Sequence, residues 1–139
     1  MTGWLVDTNV FSEVRKGDRC HAGVRAWYDG ARDDDLFTSV LVIGEIRRGV
    51  ESVRRRDPGQ AAALDQWLLR LTGALADRVL PVDTAIAECW GRLNVPDPIP
   101  VVDGLVAATA LEHDLTLVTR NVKDVASTGV ATLDPFSST

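Results

Sequence analysis

Cysteine is nearly absent from this chain: Cys20 and Cys89 are the only two in 139 residues. They stand far apart and belong to no CxxC or Cys/His cluster, which excludes a disulfide framework and a structural zinc site. Two reduced thiols packed as small apolar groups are the simpler reading. Histidine is equally scarce. His21 and His113 are isolated and form no HExxH pattern, so neither is given a catalytic role. No apolar run approaches the length of a membrane span. Trp4-Leu5-Val6 meets Asp7 at once, too short a run for a signal peptide, and a cytoplasmic location is expected. A basic excess is missing as well. The net charge of −5 argues against a passive binder that grips many phosphates. It leaves room for an enzyme whose acids hold a cation, because the cation then supplies the local positive charge.

What is present is the ordinary balance of a globular protein, with 45% hydrophobic and 25% charged residues. The length suits one domain over 1–139, with a core of its own. Short apolar runs at 3–6, 36–38, 79–82, 115–119 and 130–133 read as strands. Helical spacing separates them. Val10, Phe11 and Val14 follow the N-cap types Asp7 and Asn9, and Lys16-Gly17-Asp18 reads as a stop. Residues 20–30 carry Val24, Trp27 and Tyr28 on one side. Ser39 is placed to cap a helix with Val42, Ile43, Ile46 and Val50 inward, ended by Arg54-Arg55-Arg56 and Asp57-Pro58-Gly59. The clearest stripe, Ala61, Leu64, Leu68, Leu71 and Leu75, predicts a helix over 60–76. Asp83 caps a helix with Ile86, Trp90 and Leu93 inward. Pro96, Pro98 and Pro100 make a stiff loop, and a helix begins near Asp103. One helical turn is expected at 122–126, a solvated turn at Asp33-Asp34-Asp35, and a frayed tail at 136–139. Strands alternating with helices predict an α/β fold with a parallel sheet covered on both faces.

Sites in such sheets form beyond the carboxyl ends of the strands. Asp7 ends the first strand, Glu45 lies in the helix after the second, Asp103 opens a helix, and Asp124 follows the fourth strand. Each has an ordinary explanation: Asp7 and Asp103 as N-caps, Asp124 as a solvated partner of Lys123, Glu45 as a helix surface residue. Glu45, however, stands between Ile43 and Ile46, and buried Glu is rare without a partner. The joint pattern outweighs the single readings. Clustered carboxylates repel, and a hard divalent cation such as magnesium, with manganese as a substitute, removes that conflict. Such an ion supplies an activated water for attack at phosphorus.

The segments Leu5-Val6-Asp7-Thr8-Asn9-Val10, Ser39-Val40 leading to Gly44-Glu45-Ile46-Arg47-Arg48-Gly49, Asp103, and Leu117-Val118-Thr119-Arg120-Asn121-Val122-Lys123-Asp124 together resemble PIN-domain ribonucleases. The likeness is nearest to the VapC toxins of bacterial toxin–antitoxin pairs and covers nearly the whole chain in order. It implies a PIN-like three-layer α/β/α sandwich with a mostly parallel central sheet, and a magnesium-dependent endoribonuclease that inhibits translation and growth. Asp7, Glu45 and Asp103 match the three principal acids of the family. For the fourth, many relatives carry an acid near the position of Asn121, whereas Asp124 is the nearest carboxylate here; Asp124 is taken as the ligand. Asn9, Thr119 and Asn121 are then polar supports. The resemblance further implies a homodimer and a small VapB-like antitoxin that assembles with it into a larger complex.

Arg47, Arg48, Arg54, Arg55 and Arg56 form the dense basic patch, for which a solvated helix end is the plain reading. Contact with RNA phosphates is the functional one, with Arg47, Arg48 and Arg120 as candidates. Two rival functions remain. A phospho-receiver-like domain needs an acidic pair after the first strand and a lysine near the last; this chain has Asp7 alone and Thr119-Arg120-Asn121 there. A catalytically inert PIN-like binding module has no need of the full set of acids.

Overall fold

A computed structural model describes residues 3–137, so Ser138 and Thr139 of the expected tail lie outside the described residues. Its five strands are β1 (Trp4–Val6), β2 (Leu36–Ser39), β3 (Val79–Leu80), β4 (Thr116–Val118) and β5 (Thr132–Leu133). They form one sheet in the order β3-β2-β1-β4-β5, and every pairing is parallel. The registers set Trp4 opposite Leu36 on one side and Thr116 on the other. β1 is therefore central, and Leu5 and Val6 are fully buried. Four strands are shorter than the apolar runs that predicted them, since Pro81 ends β3 and Val130 and Ala131 precede β5, while β2 runs one residue further, to Ser39.

Six α-helices complete the described chain: α1 (Thr8–Val14), α2 (Ala22–Gly30), α3 (Val40–Arg54), α4 (Pro58–Leu75), α5 (Thr84–Leu93) and α6 (Val101–Glu112). They cover the sheet as an α/β/α sandwich. The main core unites Leu5, Val6, Val10, Phe11, Val42, Ile46, Leu64, Leu68, Val106 and Leu117 with their neighbours. Each such side chain contributes about 1.5–3 kcal/mol on burial. A smaller cluster of Ile86, Cys89 and Ala108, flanked by Trp90 and Leu111, joins α5 to α6. Gly104 permits that close approach, since a Cβ there would stand 2.7 Å from the Ile99 Cδ1 atom and 3.1 Å from the Trp90 ring.

Capping chemistry sets the helix starts. The Ser39 hydroxyl accepts from Leu41 N at 3.0 Å, and the Asp83 carboxylate from Ile86 N at 2.9 Å. Asp57 and Pro58 correct an expectation. They do not merely stop α3: Asp57 accepts from Gln60 N at 3.1 Å and Pro58 takes the first turn, so α4 begins two residues before the expected start at residue 60. The first turn of α6 likewise includes Val101 and Val102, so Asp103 is not an N-cap; Pro100 holds that position. His21 caps α2, its Nδ1 accepting from Gly23 N at 3.0 Å. α2 accordingly starts at Ala22 rather than residue 20. Asp33–Asp35 and Val122–Thr128 are 3₁₀ turns, the second longer than the single turn expected. Phe136 is not frayed. It packs on the main core, 5.5 Å from the His21 ring and 4.5 Å beneath the Arg120 guanidinium.

Candidate metal and nuclease site

The chain runs from β1 outward to β2 and β3, then returns to the opposite flank of β1 as β4. The strand order reverses between β1 and β4, where an open α/β sheet leaves a crevice beyond its carboxyl ends. Asp7 follows β1 and Thr119 follows β4 at that crevice. The backbone Asp7 N donates to Val118 O at 3.0 Å, extending the ladder by one bond and fixing the Asp7 side chain at the crevice floor.

A pocket of about 380 Å³ opens there, lined by Asp7, Thr8, Asn9, Glu45, Arg48, Gly49, Ser52, Asp103 and Asn121. Four elements supply it: the end of β1 with the start of α1, one face of α3, the first turn of α6, and the loop after β4. Glu45, Arg48, Gly49 and Ser52 recur at three- and four-residue spacing, so one face of α3 points at the acids.

Asp7 is only 7% exposed. Its Oδ2 accepts from the Thr119 hydroxyl at 2.8 Å, and its Oδ1 from Thr8 N at 2.8 Å. Asn9 Nδ2 stands 3.4 Å from Asp7 Oδ2, while Asn9 Oδ1 accepts from Arg120 N at 3.0 Å. Thr119 also accepts from Asn121 N at 3.0 Å. Asn9 and Thr119 thereby clamp the loop after β4 to the start of α1, with Asp7 between them. Glu45 is half-buried and receives the Thr8 hydroxyl on Oε1 at 2.6 Å. Thr8 was not singled out from the sequence. Its position next to Asp7, on the first turn of a helix facing the crevice, was the available signal.

Burial pushes the Asp7 carboxyl above its ordinary value, with Glu45 adding to the rise and the Thr119 and Thr8 hydrogen bonds opposing it. Burial raises the Asp103 carboxyl too, reinforced by the negative charges of Asp7, Asp124 and Glu45. None of these four acids has an ion-pair partner among the described residues. Nor do three Asp, Glu, His or Cys side chains there already converge into a ligand cage. The site is an open set of hard oxygen donors whose carboxylates are not ion-paired among the described residues. That fits a hard divalent cation, which binds through a few carboxylates and keeps several waters.

Of the remaining candidates, Asn121 lines the pocket, whereas Asp124 lies outside the lining, exposed on the turn beyond, and is felt by Asp103 through its charge. Arg48 lines the pocket. Arg47 does not: it points to the other side of α3, bonded to Asp65 at 2.7 Å and to Glu51 at 3.0 Å. Two carboxylates already satisfy it, which counts against a role in holding RNA phosphates. The Arg120 side chain lies over Phe136, and its backbone rather than its guanidinium joins the site.

A PIN domain family model matches residues 4–126. Toxin FitB of Neisseria gonorrhoeae is 30% identical over 139 residues, spanning 95% of this chain and 97% of that protein. The VapC ribonuclease Y4jK of Sinorhizobium fredii is also 30% identical, over 95% of this chain and 96% of its own. The crystal structure of FitAcB from Neisseria gonorrhoeae superposes with a TM-score of 0.88 at 29% identity, covering 96% of this chain and 98% of that one. With the acids set at the switch point of a parallel sheet and the match running almost from end to end, the chain belongs to the PIN-domain family, in the company of VapC- and FitB-type toxins.

Proposed function

We propose that the protein is a magnesium-dependent endoribonuclease and the toxin of a toxin–antitoxin pair. The observation that carries this is one pocket lined by Asp7, Glu45 and Asp103, none of which has an ion-pair partner among the described residues. Asp7, Glu45 and Asp103 would hold the ion, with Asp124 as the fourth acid and manganese as a substitute metal. When bound, the ion supplies an activated water and stabilises charge on the phosphoryl oxygens. The protein's own part is positional. Thr119 and Thr8 orient Asp7, Thr8 also fixes one oxygen of Glu45, and Asn9 and Asn121 hold the β4 loop against them. Arg48, with no ion-pair partner among the described residues, lies on the same face as Glu45 to receive a flanking phosphate.

A toxin that cuts the RNA of its own cell must be restrained until needed. A small antitoxin carrying a basic side chain would do so by competing with the metal for the same acids. We further assign the active form as a cytoplasmic homodimer that joins the antitoxin in a larger complex; a monomer on size exclusion would count against the dimer. The test of activity uses purified chain free of antitoxin. RNA is cut with magnesium or manganese and left intact in EDTA. Asp7→Asn and Asp103→Asn each abolish cutting while retaining the parent circular dichroism. Undiminished cleavage in EDTA, or by both variants, would overturn the reading.

A further inference from the structure

A second cavity, of about 270 Å³, adjoins the acid pocket. The two share Thr8, Glu45 and Gly49, and the second runs on past Ser12 of α1 and Arg15 at its C-terminal end to Trp67 of α4. The groove therefore has direction: carboxylates at one end, guanidinium and indole at the other.

Charge along it is sorted. Arg54 and Arg47, on the other side of α3, are neutralised by Glu51 and Asp65. Arg15 and Arg48, which line the groove, have no ion-pair partner among the described residues. The nearby Glu13 carboxylate is already bonded to Lys16 and to His21 N. Gly49 sits at the junction. A Cβ there would meet nothing within 4 Å, so neither packing nor turn geometry requires a glycine in this mid-helix position. Alanine would favour the helix. Gly49 lines both cavities, so a longer side chain there would stand at their junction.

We propose that this second cavity is a subsite for the nucleotide next to the scissile bond of single-stranded RNA. Trp67 offers its indole to the base and Arg15 its charge to the following phosphate. The assignment rests on the ribonuclease reading above. It names the strand's path: from Asp103 and Asn121, over Gly49, towards Trp67. Base–aromatic stacking beside a free guanidinium is the ordinary chemistry of single-strand binding and tolerates any base. The cavity is close to the ~300 Å³ lower bound of small-ligand clefts, which suits one nucleotide and not a duplex.

The test is binding of a fluorescein-labelled single-stranded RNA hexanucleotide to the full chain, free of antitoxin, at low salt in EDTA. Arg15→Ala weakens binding on the order of tenfold and lowers the salt slope by about one. Gly49→Leu, which favours the helix but fills the junction, weakens it by a similar factor. Trp67→Phe, which keeps an aromatic ring on the core, removes the part of the tryptophan quenching that RNA causes at this position. Arg54→Ala, on the far side of α3, binds as the parent does. Parent affinity in both Arg15→Ala and Gly49→Leu would overturn the subsite. So would unchanged RNA affinity with lost antitoxin binding, which assigns the groove to the protein partner. Binding is read with metal chelated, so either result stands apart from a failure of hydrolysis, which magnesium-dependent cutting reads.

Discussion

Asp7 and Asp103 face the same charge problem with different resources. Asp7 accepts hydrogen bonds from Thr119 and Thr8, whereas Asp103 has no hydrogen-bond partner among the described residues and feels three other acids. Both carboxyls are raised above the ordinary value of 3.8. A raised pKa in the folded state means that the folded protein binds the proton more tightly than the unfolded chain. Its stability therefore falls as pH rises through the shifted range. Asp103→Asn removes that repulsion without removing a hydrogen bond. Its melting temperature in EDTA at pH 7 should exceed that of the parent by a few degrees. The gap should close below the ordinary carboxylate range, where Asp103 is itself protonated, and shrink when magnesium stabilises the parent. A variant no more stable than the parent at pH 7 would show that the acids do not strain the fold. The same shifts set the acid limb of activity. On the proposed metal mechanism protons would compete with the cation for these oxygens, so cleavage should fall with decreasing pH sooner than it would for unperturbed carboxylates.

The elements show where backbone strain sits. After α4 the chain turns at Ala76 with φ +52° and ψ −120°, a conformation that glycine adopts freely and a Cβ resists. Ala76→Gly should raise stability by about 1 kcal/mol, the strain of such a residue less the added entropy of the unfolded glycine. Urea unfolding measures this, and a destabilised variant would contradict it. Much of this level was legible in the sequence. Ser39 and Asp83 cap as their residue types suggest, and Asp7 falls at a strand end because β1 is too short to extend past Val6. Other features were not legible, for physical reasons. Arg47 and Arg48 are neighbours in sequence but about 100° apart around α3, and only the packing of α4 shows that Asp65 claims the first. Periodicity starts a helix at its first buried residue, so it missed Pro58 and Val101, which open helices on their exposed side. Phe136 looked like a tail because the surface that receives it, His21 and Arg120, comes from distant parts of the chain.

At the scale of the whole molecule, a net charge of −5 is reconciled with the proposed RNA substrate by sorting. The acids collect at the β1–β4 switch point, where the proposed cation would reverse their sign. Arg15 and Arg48, unpaired among the described residues, lie along the groove leading away from it, and the paired Arg47 and Arg54 face elsewhere. Parallel topology makes this arrangement possible, because every strand delivers its carboxyl end to the same edge. Asp7, Glu45 and Asp103 are proposed to act as one ion site. The most direct test is calorimetric titration of manganese into the full chain at pH 7, repeated with Asp7→Asn and with Asp103→Asn. Binding to the parent should weaken at least tenfold in each variant; equal affinity in all three would contradict a shared site.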